Sequence, residues 1–122
     1  MARRVVNDVE YAFDKVIDLY QEDIAASGQW VSEVERVAHL TRIVGQITND
    51  FDTDEGELEI IFYRDENGLQ EVGKLQGYID VGTHDVDIIP FADYMKVTIG
   101  NADTGESHQV TVALAGFLPE AL

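Results

Sequence analysis

Short segments in which apolar and polar residues alternate make up most of the chain from residue 27 onward. In 57–63 and 94–100 every second residue is apolar, which is the two-residue period of a strand with one buried face. Turn residues such as Asn67-Gly68 separate the segments. The candidate strands are 29–37, 41–48, 57–63, 69–72, 75–81, 84–89, 94–100 and 108–115. About eight short strands without helical segments between them predict a mainly β fold, an antiparallel β-sandwich or jelly roll over residues 26–122.

The alternation also predicts the core. We expect eight side chains on the apolar faces of these strands to be largely buried, namely Leu58, Ile60, Phe62, Val97, Ile99, Val110, Val112 and Leu114. Residues 94–100 and 108–115 are separated by an Asn- and Gly-containing turn at 101–105. We therefore expect these two strands to pair as a closing hairpin.

The first 25 residues carry a different pattern. Apolar residues recur there at spacings of three and four, which favours an amphipathic helix: Val6, Val9, Phe13, Val16 and Tyr20. Residues 1–25 are therefore predicted to form an N-terminal arm, either a helix or a helix plus strand, and residues 16–25 could also be extended. The stripe either packs on its own domain, which is the more ordinary arrangement, or covers a neighbouring copy. Our functional hypothesis takes the second use and predicts that these five residues form an assembly interface.

The charge is strongly acidic, with 24 Asp and Glu against 8 Lys and Arg and a net charge of −16. Such a surface repels phosphate backbones and anionic lipids, so neither nucleic acid nor a membrane is an expected partner. Two explanations remain: a basic partner protein, or a concentrated-salt environment that screens self-repulsion. Only three lysines occur and the acids are spread along the chain, which favours the salt environment of a halophile. The chain has no cysteine and therefore no disulfide or thiolate chemistry.

A search for catalytic patterns finds none, so we expect no enzyme, no catalytic residue and no cofactor. His39, His84 and His108 are far apart and none has a partner at metal-ligand spacing. Asp50, Asp52 and Asp54 alternate like the start of a calcium loop, but Glu55 and Ile61 stand where such a loop needs Gly and Glu. These three aspartates are therefore at most a weak divalent-cation site.

Trp30 is the only tryptophan in the chain. A lone tryptophan on a β-sandwich either anchors the core or stacks on a sugar ring. We favour a position in the core and keep stacking on a glycan as the alternative.

Three stretches together resemble a known layout: Ser27-Gly28-Gln29-Trp30, then Gly56-Glu57-Leu58-Glu59-Ile60 leading to Asp65-Glu66-Asn67-Gly68, then Tyr94-Met95-Lys96-Val97-Thr98-Ile99. This layout is similar to the small, jelly-roll-like β-sandwich domains in virion proteins of tailed viruses. The resemblance implies a virion structural protein, made in the host cytoplasm and associated with copies of itself and with other virion proteins. The acidity adds the expectation of a halophilic host.

The leading hypothesis is therefore a non-enzymatic, oligomeric component of a tailed-virus particle, as a capsid decoration, a spike or turret, or a tail-tip protein. Two alternatives from other classes remain. One is a glycan- or receptor-binding β-sandwich module that uses Trp30, and the other is an acidic cellular protein of a halophile that binds a basic partner.

Overall fold

The computed structural model describes residues 2–6 and 9–118 of the chain, and the side chains from residue 13 onward. These residues form ten β-strands and no helix. The strands are β1 (Ala2–Val6), β2 (Val9–Ile24), β3 (Gln29–Val31), β4 (Glu35–Arg36), β5 (Arg42–Asn49), β6 (Gly56–Tyr63), β7 (Glu71–Ile79), β8 (Gly82–Ile88), β9 (Tyr94–Asn101) and β10 (His108–Phe117). Among the described residues no helix is long and apolar enough to cross a membrane.

The strands form two antiparallel sheets, which confirms the predicted β-sandwich. One sheet has the order β1-β2-β10-β5-β8, and the other has the order β3-β9-β6-β7 with β4 also paired to β9. The pairing is nested around the central hairpin β6–β7: β5 pairs with β8, β3 and β4 pair with β9, and β2 pairs with β10. Successive pairs alternate between the two sheets. With β3 and β4 counted as one interrupted strand, this is the eight-stranded connectivity of a jelly roll, and β1 extends one edge.

The core lies between the sheets, where the strands contribute alternate side chains. Seven of the eight side chains predicted to be buried are buried, and the eighth, Leu58, is half-buried and packs against the others. Phe51, Val37 and Leu40 come from the connections between strands and are also fully or almost fully buried. The loops therefore close the ends of the core, and the period-two pattern did not identify these residues.

Residues 9–24 are extended, so the helix favoured by the apolar spacing is wrong, and the extended alternative considered for 16–25 is correct for 16–24. The reason is visible in the pairing of β2 with β10, where the register shifts between Val110 and Val112 and again between Leu114 and Ala115. Each shift adds a residue to β2 and resets its two-residue alternation. The extra residues lie within 15–17 and 19–22, so the helix-like spacing from Phe13 to Tyr20 is that of a bulged strand. Val6 and Val9 instead pair with each other across β1 and β2.

The predicted closing hairpin is also wrong. β9 pairs with β6 and with β3 and β4 in one sheet, whereas β10 pairs with β2 and β5 in the other sheet. The connection between β9 and β10 therefore crosses the sandwich. The alternating apolar side chains of the two strands belong to opposite walls of one core, and an alternating sequence is compatible with either arrangement.

Candidate functional site

Four connections meet at one end of the sandwich, namely β2–β3, β5–β6, β7–β8 and β9–β10. Two buried asparagines hold them together. The Asn49 side-chain amide donates to the carbonyl oxygen of Asp80 at 3.0 Å, and its oxygen accepts from the Phe51 N–H at 3.1 Å. The Asn101 amide lies 3.0 Å from the carbonyl oxygens of both Ile24 and Glu106. Because buried amides that lose their partners cost free energy, each asparagine fixes one pair of loops. The 2.8 Å bond from the Ala102 N–H to the Glu55 carbonyl oxygen joins the two pairs.

This end carries a group of ionisable side chains that we call the acidic loop cluster: Asp52, Glu55, Asp103 and His108. Each offers one ligand atom, and these atoms lie within 4.8 Å of one another. His108 begins β10 and is only 6% exposed. Its Nε2 lies 2.9 Å from Asp103 Oδ2 and 3.7 Å from Glu55 Oε2. Three carboxylates therefore lie around the Nε2 edge of a buried imidazole.

The opposite ring nitrogen faces Asp50. His108 Nδ1 lies 3.1 Å from the Asp50 carbonyl oxygen and 3.2 Å from its Oδ1. The Phe51 ring covers the imidazole, with 5.2 Å between the ring centroids. Since a carbonyl oxygen can only accept, Nδ1 carries a proton, and the ring is held with Nε2 directed at the acidic loop cluster.

Local backbone conformation positions the carboxylates. Asp54 has a φ of 63° and turns the chain, so that the Glu55 N–H reaches the carbonyl oxygen of Asp52 at 3.1 Å. Asp103 Oδ1 accepts the N–H of Gly105 at 2.8 Å and that of Glu106 at 3.3 Å. These contacts leave Asp103 Oδ2 directed at His108.

The charges in the cluster shift several pKa values. The Gly105 N–H, followed by the hydrogen bond from His108, lowers the pKa of Asp103. The hydrogen bond to Asp103 raises the pKa of His108, against the opposing effect of burial. Burial, together with the negative charges of Asp103 and Asp52, raises the pKa of Glu55. Its Oε2 atom is buried without a donor group in hydrogen-bond reach, and the side chain as a whole is partly exposed. The cluster therefore has an excess of negative charge facing one point.

The structure does not place Asp50, Asp52 and Asp54 together as one ligand set. Only Asp52 belongs to the acidic loop cluster, whereas Asp50 contacts the far side of His108 and Asp54 supplies a turn. The sequence-based search missed Glu55, Asp103 and His108 as a group. Their separation along the chain leaves no local spacing signal, and only the meeting of the β5–β6 and β9–β10 loops brings them together.

The remaining sequence candidates lie elsewhere. Trp30 is half-buried, packs against the core and pairs with Ile99 across β3 and β9. His39 Nε2 lies 3.0 Å from Asp14 Oδ2, and His84 Nε2 lies 2.6 Å from the carbonyl oxygen of Asp80. Glycan stacking by Trp30 stays a prediction.

The five residues of the predicted interface have different environments. Val16 is buried and belongs to the core cluster, Phe13 is half-buried, and Tyr20 is 76% exposed. Val6 and Val9 have side chains that lie outside the described residues. The stripe is therefore not one face, and its assembly role stays a prediction.

Exposed apolar side chains also occur along β7, which is the edge strand of its sheet. Three of its apolar side chains are exposed, and two more exposed ones flank it: Val72, Leu75 and Tyr78 on the strand, and Leu69 and Val81 beside it. Leu75 is opposite the buried Ile60 and Tyr78 is opposite the exposed Glu57, so these side chains lie along the sheet edge on both of its faces. A long edge strand also offers unpaired backbone groups.

No protein-family model and no curated protein matches this sequence. Among solved structures, the fold is similar to that of the PBSX exported protein XepA, a phage protein, with a TM-score of 0.64 at 10% sequence identity. The match covers 89% of this chain and 38% of XepA, so the chain spans well under half of that protein's length. Drosophila melanogaster CENP-C bound to CAL1 also aligns, at 14% identity over 95% of this chain and 78% of that one, but its TM-score of 0.37 supports no inference.

Proposed function

We propose that this chain is a non-enzymatic structural component of a tailed-virus particle that assembles as an oligomer. The observation that carries the proposal is the fold shared with a phage protein, XepA, over 89% of this chain. The layout of turns and alternating strands in the sequence supports the same assignment independently. The acidic surface supports a particle that works in concentrated salt, where self-repulsion between copies is screened.

The exposed apolar surfaces support assembly. Tyr20 on β2 and Tyr78 on β7 are 76% and 61% exposed, so each offers a large side chain to a neighbour without a role in the core. Burial of aromatic side chains of this size is a common source of interface stability. Copies of one chain in a particle are related by symmetry, which allows the same two surfaces to be used repeatedly.

The native mass in about 2 M KCl, measured by light scattering after gel filtration, tests this proposal. We expect an oligomer for the natural chain and a smaller mass for Tyr20→Asp, for Tyr78→Asp, or for both. Ile89→Asp is the matched control, because Ile89 is comparably exposed, at 73%, and is on neither β2 nor β7. Circular dichroism identifies any variant that has lost its fold.

A natural chain that is monomeric at high protein concentration would contradict the assembly proposal. An equal loss of mass in Ile89→Asp would also contradict it, because added charge alone would then explain the dissociation.

A further inference from the structure

The position of His108 defines a requirement for positive charge. Its Nδ1 donates to Asp50, and its Nε2 faces Asp103 Oδ2 and Glu55 Oε2. A neutral ring would direct a lone pair at two carboxylates, which is repulsive. A positive charge between the ring and the carboxylates removes this repulsion, either as a second proton on Nε2 or as a metal ion bound to it.

The environment of Glu55 supports a metal ion at this site. A proton on Nε2 is used by the 2.9 Å contact with Asp103 and leaves Glu55 Oε2, at 3.7 Å, without a hydrogen bond. The Oε2 atom is buried and no donor group lies within hydrogen-bond reach of it, although the side chain as a whole is 32% exposed and its other contact in the cluster is the Asp103 carboxylate; a buried carboxylate oxygen ordinarily has a donor or a cation beside it. A metal ion can accept this oxygen, Asp103 Oδ2, Nε2 and an oxygen of Asp52 together, since all four donors lie within 4.8 Å of one another.

The second contact of the ring fits the same use. Metal-binding histidines ordinarily donate their other N–H to a carboxylate or a backbone carbonyl, which fixes the tautomer and aims the ligand nitrogen. Asp50 offers both groups to His108 Nδ1. The asparagine contacts described above fix the loops that carry the remaining donors, so the donor set is held on several sides.

We propose that Asp52, Glu55, Asp103 and His108 bind one divalent transition-metal ion of the zinc or manganese type. The donors are one imidazole nitrogen and three carboxylates. Imidazole is a ligand for zinc and other transition metals, whereas calcium takes oxygen ligands. The ion ties the β5–β6 loop to the β9–β10 loop and so stabilises one end of the sandwich. This structural role is independent of whether the chain belongs to a virus particle.

Titration calorimetry of the full chain with ZnCl₂ tests the site, with MnCl₂ and CaCl₂ titrated in parallel. We expect one zinc ion per chain and weaker binding of calcium. Glu55→Gln and His108→Gln should each weaken zinc binding by at least about tenfold, in line with the loss of a ligand or its support. Glu71→Gln and His84→Gln are the matched controls, because each changes the same kind of group outside the donor set, and Glu71 is exposed at the far end of β7. Both variants should bind zinc like the natural chain.

Nuclear magnetic resonance provides a readout that survives if His108→Gln fails to fold. On the natural chain, zinc should shift the ring signals of His108 and leave those of His84 in place. No binding at millimolar zinc would overturn the proposal and leave a protonated His108 as the cation. Binding unchanged in Glu55→Gln, zinc shifts confined to other histidines, or tighter binding of calcium than of zinc would each overturn it as well.

Discussion

Replacement of Phe62 by alanine tests how the core of this sandwich is built. Phe62 lies on β6 and is fully buried, opposite Met95 on one side and Gly73 on the other. Its ring lies 4.2 Å from that of Phe91, centroid to centroid. Removal of a buried phenylalanine ring costs about 3–5 kcal/mol, depending on how far the surroundings can close the cavity.

The surroundings of Phe62 place the expected loss at the lower end of that range. Phe91 is half-exposed and covers Gly73, where an added Cβ would lie 2.9 Å from its ring. Because the Phe91 ring is not fully enclosed, it can move into part of the vacated space. We therefore expect Phe62→Ala to lose about 3 kcal/mol, or about 10–15 °C in melting temperature for a domain of this size.

Urea unfolding in about 2 M KCl, followed by circular dichroism, measures this loss. Tyr78→Ala on the neighbouring strand β7 is the control, because Tyr78 is mostly exposed and its removal should cost less than about 1 kcal/mol. A loss below about 1 kcal/mol for Phe62→Ala, or equal losses for the two variants, would refute the assignment of β6 to the centre of the core.

Three further predictions concern the backbone, acid and salt. Gly45→Ala should lower the free energy of unfolding by about 1–3 kcal/mol, because a Cβ there would lie 1.9 Å from the Ala113 carbonyl oxygen. Gly77→Ala is the control and should be nearly neutral, because a Cβ there has nothing within 4 Å. Equal losses for the two variants in urea unfolding would contradict this reasoning. The Gln70 N–H lowers the pKa of Asp65 below its ordinary value of 3.8, so its stabilising contribution is complete above that value and is lost as the pH falls through the lower folded pKa. Asp65→Ala should therefore unfold more easily than the natural chain at pH 6, with the difference closing towards pH 2, and a constant difference would contradict the reasoning. The melting temperature should rise between about 0.1 M and 2 M KCl because salt screens a net charge of −16, and an unchanged or falling value would contradict the halophilic interpretation.

The sequence alone was sufficient to predict the positions of most strands and the side of each strand that faces the core. Leu58, Ile60 and Phe62 recur at every second position, and all three contribute to the core. This information is local, because a pleated strand turns successive side chains to opposite faces whatever its neighbours are. The turn at Asn67-Gly68 was readable for the same reason, and Gly68 has the positive φ that such a turn uses.

The pattern gave the wrong structure where a strand departs from regular pairing. The extra residues of β2 opposite β10 interrupt its alternation, and Gln21, near one shift, has a φ of 47°. Whether such a segment becomes a helix or a bulged strand depends on the partner available to it. β10 provides an edge for β2, and the residues that create that edge lie about ninety positions further along the chain, as in the 3.0 Å bond from the Gln21 N–H to Thr111 Oγ1.

Only the tertiary structure decided which strands pair and which charged residues meet. β9 and β10 are equally compatible with one hairpin and with opposite walls of a sandwich, because alternation specifies a buried face but not the neighbour that covers it. The same limit applies to Asp52, Glu55, Asp103 and His108. They are brought together when the jelly-roll pairing places the β5–β6 and β9–β10 loops at one end of the molecule, and contacts between residues distant in sequence depend on the closed fold.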